Sequence, residues 1–309
     1  MIEIKENVLL SSRTTFRIGG PAKYFVEVSS EAEFIEALEY AQKNHLEYFV
    51  LGGGSNVLFS DQGFNGLVIK MKIADFSIEG IVIEAGVGVP LAKVVRGAIE
   101  NELSGMEWAA GIPGSIGGAV RGNAGAFGES MGNVLESIRV LDVNTMEIKD
   151  YLPQDCQFDY RSSIFKKEKK LVVLSVKIKL EKGIKDEISK KSNESIQKRI
   201  SGQPVGQPSA GSYFMNPLVE NRELVERFEK DRGVVARGNK LPAGWLIDQA
   251  GIKGKKIGGA MVSEKHPNFL VNAGGATAED VIILESFVKQ QVRDQFGVEL
   301  VSEVEHVGF

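Results

Sequence analysis

AGIPGSIGGAVRGNAGAFG, residues 110–128, carries seven glycines and leaves no room for bulky side chains around them. It is too hydrophobic and too short for a flexible linker. A second glycine loop lies upstream in LGGGSNVL, residues 51–58, where a short apolar run feeds three consecutive glycines followed by Ser55 and Asn56. Glycine loops bind phosphates because a residue without Cβ lets several backbone N–H groups point at one anion and lets the ligand come close. Two such loops in one chain read as a joint cradle for a large diphosphate ligand; two ordinary tight turns are the competing reading.

Known phosphate and nucleophile motifs do not describe these loops. A dinucleotide fingerprint needs G-x-G-x-x-G, and Val57 stands where the third glycine belongs. GVVARGNK from Gly233 approaches a Walker A loop but has Asn239 in place of the lysine and Lys240 in place of Ser or Thr. Neither Ser55 nor Ser115 satisfies G-x-S-x-G, and no histidine neighbours them in sequence.

Glycine supplies 35 of the 309 residues, about one in nine, with no collagen period and no low-complexity tract. The excess therefore belongs to particular backbone positions in a folded protein. The single cysteine, Cys156, cannot form an internal disulfide and reads as packing. The histidines at 45, 266 and 306 have no metal-ligand spacing, so no metal is expected. His266 receives no catalytic role. With 37 basic against 41 acidic residues, net −4, and no basic tail, nucleic acid is not an expected partner. No signal-like or membrane-spanning apolar run occurs, which predicts a cytoplasmic chain without membrane attachment.

Along the chain, AKYFVEV (22–28) alternates as a half-buried strand, and Ser30 caps a helix bearing Phe34, Ile35, Leu38 and Ala41 on one face. Strands follow at GLVIKM and IVIEAG, then a helix at PLAKVVRGAIENE with Pro90 suited to the first turn. Further strands are expected at ESIRVLDV, MEIKDYL and LVVLSVKIKLE, and an exposed helix at GIKDEISKKSNESIQKRI. GQPVGQPS (202–209) is the best domain boundary. Beyond it come helices around ELVERFEK and from Thr277, whose TAED forms a capping box, and a final strand VELVSEVEHV (298–307).

Seven ordered motifs then resemble one family, the UDP-N-acetylenolpyruvoylglucosamine reductases: TTFRIGG (14–20), LGGGSNVL (51–58), AGIPGSIGGAVRGNAG (110–125), YRSSIF (160–165), PSAGSYFMNP (208–217), PAGWLIDQAGIKGKKIGGAMVS (242–263) and Glu303. The resemblance implies an α+β fold, with a two-part FAD-binding region of the vanillyl-alcohol-oxidase/PCMH type and a separate α+β substrate-binding domain. The boundaries expected on this basis are 1–70 with 299–309 for the first FAD subdomain, 71–200 for the second, and 201–298 for the substrate domain. It also implies that Gly52, Gly53, Gly54, Ser55, Asn56, Gly111, Ile112, Pro113, Gly114, Ser115, Gly117 and Gly118 hold the FAD pyrophosphate, with Asn123 and Gly125 nearby. The FAD would be non-covalent, since neither His nor Cys occurs in or beside these loops.

The chemistry implied by the resemblance is reduction of an enolpyruvyl ether on a nucleotide sugar, with NADPH as hydride donor, in peptidoglycan precursor synthesis. Arg161 matches the family's catalytic arginine, Ser212 its proton donor and Glu303 its catalytic glutamate. A carboxylate beside a developing dianion repels it, so Glu303 is expected to be protonated or to act through Arg161 or water. Asn216, Tyr160 and Lys253 are the expected substrate contacts, and Arg199, Lys240, Lys255 and Lys256 are further candidates for its diphosphate. No protein partner is implied. Taken singly, each of these residues has an ordinary reading as a turn or a surface ion pair. Met215 replaces a lysine common in the family, Ser302 a proline, and the short spacing from Arg161 to Ser212 matches the subclass without a tyrosine-bearing lid. Two other functions stay open at this point: an FAD-dependent oxidase of the same superfamily acting on a hydroxy acid or sugar, and a non-catalytic nucleotide-sugar-binding protein.

Overall fold

The computed structural model describes residues 2–309 and divides them into two compact units. The first takes the N-terminal residues through Val8, Ala22–Gly53 and Asn65–Ser201. The second takes Leu9–Pro21, Gly54–Phe64 and Gly202–Phe309.

The first unit holds two sheets. One has four strands in the order Lys5–Leu9, Pro21–Val28, Phe64–Met71, Tyr48–Leu51, the last two parallel with Tyr48 opposite Leu67. The helix Glu31–Lys43 covers it because Phe34, Ala37, Leu38 and Ala41 fall on one stripe and pack with Val26, Val28, Leu67 and Ile69. Ser30 caps this helix, its hydroxyl accepting from the Glu33 N–H at 3.2 Å. The other sheet is antiparallel with five strands, Glu147–Tyr151, Leu135–Asp142, Leu171–Lys179, Val82–Gly86 and Phe76–Glu79 in that order. Helices Leu91–Glu100 and Ile116–Arg121 contribute Val94, Ala98, Ile116 and Val120 to the same continuous core.

Pro90 caps its helix rather than entering the first turn.

The second unit is built on a three-stranded sheet, Lys256–Ile257, Ala260–Val262 and Leu270–Asn272. Its helices are Arg222–Arg232, Ala243–Gln249 and Ala278–Phe296. Thr277 and Asp280 close the capping box, each side chain accepting the other's backbone N–H, at 3.0 and 3.1 Å. Val281, Leu284, Val288 and Val292 join Phe16, Leu58, Phe214 and Trp245 in the core.

The long final strand expected over 298–307 shortens to Glu305–Val307, which pairs in parallel with Val57–Phe59. Val298, Leu300 and Val304 are spent on the core of the second unit, so the segment before the strand follows the packing rather than a ladder. That pairing also groups residues 299–309 with 54–64 and 202–298, a division that differs from the boundaries expected from sequence. No helix among the described residues is long and apolar enough to cross a membrane.

Candidate active site

In the first unit the two glycine loops meet. An ideal Cβ on Gly53 would lie 2.5 Å from Gly114 Cα and 2.9 Å from Ser115 N, and one on Gly52 would lie 3.0 Å from Ser115 Oγ. Two backbones separated by some sixty residues therefore run against each other at a distance that only glycine permits. Gly111 and Gly114 take φ of +82° and +116°, which bulkier residues rarely adopt. Lys70 Nζ donates to the Gly52 carbonyl and fixes the upper loop.

Ser115 caps the short helix Ile116–Arg121, yet its hydroxyl bonds no helix N–H. It is buried, with no hydrogen-bond partner. A buried hydroxyl without a partner costs about 1–3 kcal/mol, so it points to a ligand. Gly118 supports the same conclusion from the opposite direction, because a Cβ there would meet nothing within 4 Å. Packing does not require that glycine, and the space beside it is open to a ligand.

Several other residues expected at the cofactor also have partners within the protein. Gly117 is forced by Val87, 2.8 Å from its ideal Cβ, and Gly125 by the Glu129 carbonyl at 2.5 Å. Ile112 packs against the core, its N–H donating to the Ala109 carbonyl at 3.0 Å, and Pro113 follows it in the loop. Asn123 is buried; its Nδ2 donates to the Asp159 carbonyl at 2.9 Å and its Oδ1 accepts from the Gly132 N–H at 3.0 Å. It thus ties the loop to the turn that carries Arg161.

That turn is tight: Asp159 and Ser162 exchange both backbone hydrogen bonds at 3.1 Å, and Arg161 sits at φ +53°. Backbone strain of this kind persists where the surroundings enforce it. The Arg161 guanidinium donates to the Gly125 carbonyl at 3.1 Å and lies 5.3 Å over the Tyr160 ring. Arg199, a candidate for the substrate diphosphate, instead donates to the carbonyls of Ala110 and Trp108, both at 3.0 Å, and so anchors the start of the glycine loop. Burial and then the Arg161 charge push its pKa down, so two cations share this part of the unit.

In the second unit Ser212 and Glu303 lie on paired segments. The Glu303 N–H donates to the Tyr213 carbonyl at 2.8 Å, Met215 N–H to Val301 at 2.9 Å, and Phe214 bridges Ser302 in antiparallel sense. Both candidate side chains are half-buried. Asn268 clamps the serine's segment: its carbonyl accepts from Tyr213 N–H at 2.7 Å, its Oδ1 from Phe214 N–H at 2.9 Å, and its Nδ2 donates to the Phe214 carbonyl at 2.9 Å. Asn56 donates to the Glu303 carbonyl at 3.1 Å, and Gly54, at φ +71°, has the Arg13 carbonyl 2.3 Å from its ideal Cβ. Ser55 lies between them.

Asn216 accepts from the Ala243 N–H at 3.1 Å and so holds the start of the helix Ala243–Gln249, while Lys253 pairs with Asp248 at 2.6 Å. His266 is kept neutral, chiefly by burial, and accepts from the Asn268 N–H at 3.3 Å. Burial, aided by Asp155, raises the Cys156 thiol to about 12, which removes it as a nucleophile. Among the described residues no cluster of three or more His, Cys, Asp or Glu side chains would hold a metal ion.

Sequence reasoning missed the cluster beneath Ser212 and Glu303. Glu285 is buried on the inward face of the helix Ala278–Phe296. Its carboxylate accepts from Tyr213 Oη at 2.8 Å, from Lys289 Nζ at 2.5 Å and from Ser302 Oγ, and lies 3.2 Å from His306 Nε2. The available signal was a glutamate in register with Val281, Leu284, Val288 and Val292 on an otherwise apolar stripe.

Burial alone would raise this carboxyl; hydrogen bonds from His306, Lys289, Ser302 and Tyr213 outweigh it and hold it down to about 2. A folded value below the unfolded one adds stability above the ordinary value of 4.5, and that contribution is lost as pH falls through about 2. The melting temperature is therefore expected to fall more steeply between about pH 5 and about pH 2 in the parent than in Glu285→Gln. Equal slopes in calorimetry would contradict the hydrogen-bonded carboxylate.

The glycine cradle and the unpartnered Ser115 hydroxyl form a ligand surface without a dinucleotide fingerprint, and residues 22–149 match the family model described as an FAD binding domain, which makes the chain a flavoprotein. Residues 203–307 match the C-terminal domain of UDP-N-acetylenolpyruvoylglucosamine reductase. Similarity to proteins of that name runs through the whole chain. It is 39% identical to the reductase of Caldanaerobacter subterraneus subsp. tengcongensis, covering 98% of this chain and 93% of that protein. It is 40% identical to that of Carboxydothermus hydrogenoformans, covering 99% and 94%. The crystal structure of the reductase from Thermus caldophilus superimposes over 100% of both chains with a TM-score of 0.79 at 32% identity. The chain belongs to the UDP-N-acetylenolpyruvoylglucosamine reductase family, and the oxidase alternative is not favoured.

Proposed function

We propose that this chain reduces UDP-N-acetylenolpyruvoylglucosamine to UDP-N-acetylmuramate, a peptidoglycan precursor, with NADPH as the hydride source. The observation that carries the reading is the similarity to reductases of that name along 98% of the chain. The cofactor fits the residues present: the backbone of Gly52, Gly53 and Gly114, the Ser115 hydroxyl and the open face at Gly118 would hold the FAD pyrophosphate. The chemistry FAD supplies when bound is two-electron transfer, with hydride taken from NADPH and delivered to the terminal alkene carbon.

The protein's own residues manage the charge and the proton. Hydride addition at the terminal carbon leaves negative charge on the ether-bearing carbon, spread into the neighbouring carboxylate. Arg161 meets that carboxylate; a guanidinium stays charged throughout and presents two parallel donors to two oxygens. Ser212 Oγ delivers the proton to the ether-bearing carbon. A hydroxyl is a weak acid, but its target is a far stronger base. An ionised carboxylate facing the charge that develops would repel it, so Glu303 acts either protonated or through Arg161 or water. Nucleotide sugar and pyridine nucleotide are both solutes of the cytoplasm, where we place the activity.

The test is to incubate the yellow protein with NADPH and the enolpyruvyl nucleotide and to weigh the product. The expected product has gained two hydrogens, one mole per mole of NADPH oxidised. A protein that takes up no FAD, or that turns over only with oxygen and a hydroxy acid or sugar, would overturn the reading.

A further inference from the structure

We propose that Glu285 is a positioning residue for this reaction, fixing the register of the two segments that carry Ser212 and Glu303. The inference rests on the roles given above to those two residues. Glu285 sits on the helix Ala278–Phe296, at 4% exposure, and reaches both segments at once. One oxygen takes the Tyr213 hydroxyl at 2.8 Å, directly beside Ser212. The other takes the Ser302 hydroxyl, directly beside Glu303. Lys289 Nζ, at 2.5 Å, and the His306 ring, 3.2 Å away, complete the carboxylate's partners.

The backbone between the segments is sparsely paired, by the Phe214–Ser302 bridge and the flanking bonds Glu303 N–H to Tyr213 and Met215 N–H to Val301. In such a short pairing a slip of one residue reverses every side chain. Drawing Tyr213 and Ser302 onto a single buried carboxylate prevents the slip from either side. Tyr213 is wholly buried, its ring centroid 5.2 Å from that of Phe214, and its hydroxyl lies 2.8 Å from the Glu285 carboxylate and 3.0 Å from His306 Nε2, itself a neighbour of that carboxylate. Stability alone explains the cluster poorly, because a buried charge network is often matched or bettered by well-packed apolar side chains. Fixing a register is the better-attested use of buried polar groups.

The experiment follows flavin absorbance in rapid mixing of the holoprotein, separating reduction by NADPH from reoxidation by the enolpyruvyl nucleotide. Glu285→Gln is expected to slow reoxidation roughly tenfold, within the range of coupling between contacting residues, while flavin content, the rate of reduction and nucleotide affinity are unchanged. Tyr213→Phe and Ser302→Ala each remove one arm and are expected to give a smaller slowing in the same step. They test the same inference if Glu285→Gln does not fold. In a Ser212→Ala background Glu285→Gln should slow reoxidation by less than in the parent, because only Glu303 is left for it to position. Equal slowing in both backgrounds, or none in the parent, would overturn the positioning role while leaving Ser212 as donor. Unchanged reoxidation in Ser212→Ala alone would instead overturn the donor assignment, and this inference with it.

Discussion

Replacing Ser212 by alanine is expected to divide the reaction in two. NADPH should still bleach the flavin at the parent rate, because hydride uptake asks nothing of this hydroxyl. Reoxidation by the enolpyruvyl nucleotide should slow by roughly 10²- to 10⁴-fold, the usual worth of a positioned proton donor. The substitution is clean. The segment is held through Tyr213 and Phe214 by Asn268 and through the Tyr213 carbonyl by Glu303, so alanine removes an oxygen without loosening its anchors. The half-buried position leaves the side chain open to a ligand. Stopped-flow absorbance in the absence of oxygen checks both steps, and an unchanged second step would show that the proton comes from elsewhere.

Replacing Gly53 by valine should cost flavin before it costs the fold. Even the first added carbon would sit 2.5 Å from Gly114 Cα and 2.9 Å from Ser115 N, closer than real Cβ contacts come, and backbone rather than a flexible side chain would have to move. Overpacking of this kind costs about 1–3 kcal/mol, and pushing the loops apart weakens flavin binding by roughly ten- to a hundredfold. The flavin-to-protein absorbance ratio after gel filtration is expected to fall, while the circular dichroism of the flavin-free protein is retained. Gly118→Ala provides the comparison, since its Cβ meets no protein atom within 4 Å. It should leave the melting temperature of the flavin-free protein unchanged and still lower flavin affinity. Full flavin content in both variants would contradict the cradle.

The elements legible in the sequence were those governed by local rules. Ser30 and Thr277 announced helix starts through their side-chain oxygens, and the stripe Phe34, Leu38, Ala41 marked the face that packs on the first sheet. The glycine loops were legible as special backbone positions, but their mutual contact was not. That Gly53 lies on Gly114 depends on a fold that brings residues some sixty apart together. Long-range packing also shortened the final strand, whose alternating residues Val298, Leu300 and Val304 were drawn into the core.

For the site the same division holds. Motif position nominated Arg161, Ser212, Glu303 and Asn123, but not that Asn123 holds the turn of Arg161, nor that Asn268 and Glu285 hold the segment of Ser212, across sequence separations of tens of residues. Asn216 and Lys253, nominated by motif as substrate contacts, also have partners within the protein: the first supports a helix start and the second pairs with Asp248.

The most direct measurement mixes the yellow protein anaerobically first with one equivalent of NADPH and then with UDP-N-acetylenolpyruvoylglucosamine. Absorbance should be lost in the first step and restored in the second, with one equivalent of the nucleotide consumed for each flavin reoxidised. Flavin that stays bleached with the nucleotide and recovers only when oxygen is admitted would contradict the account.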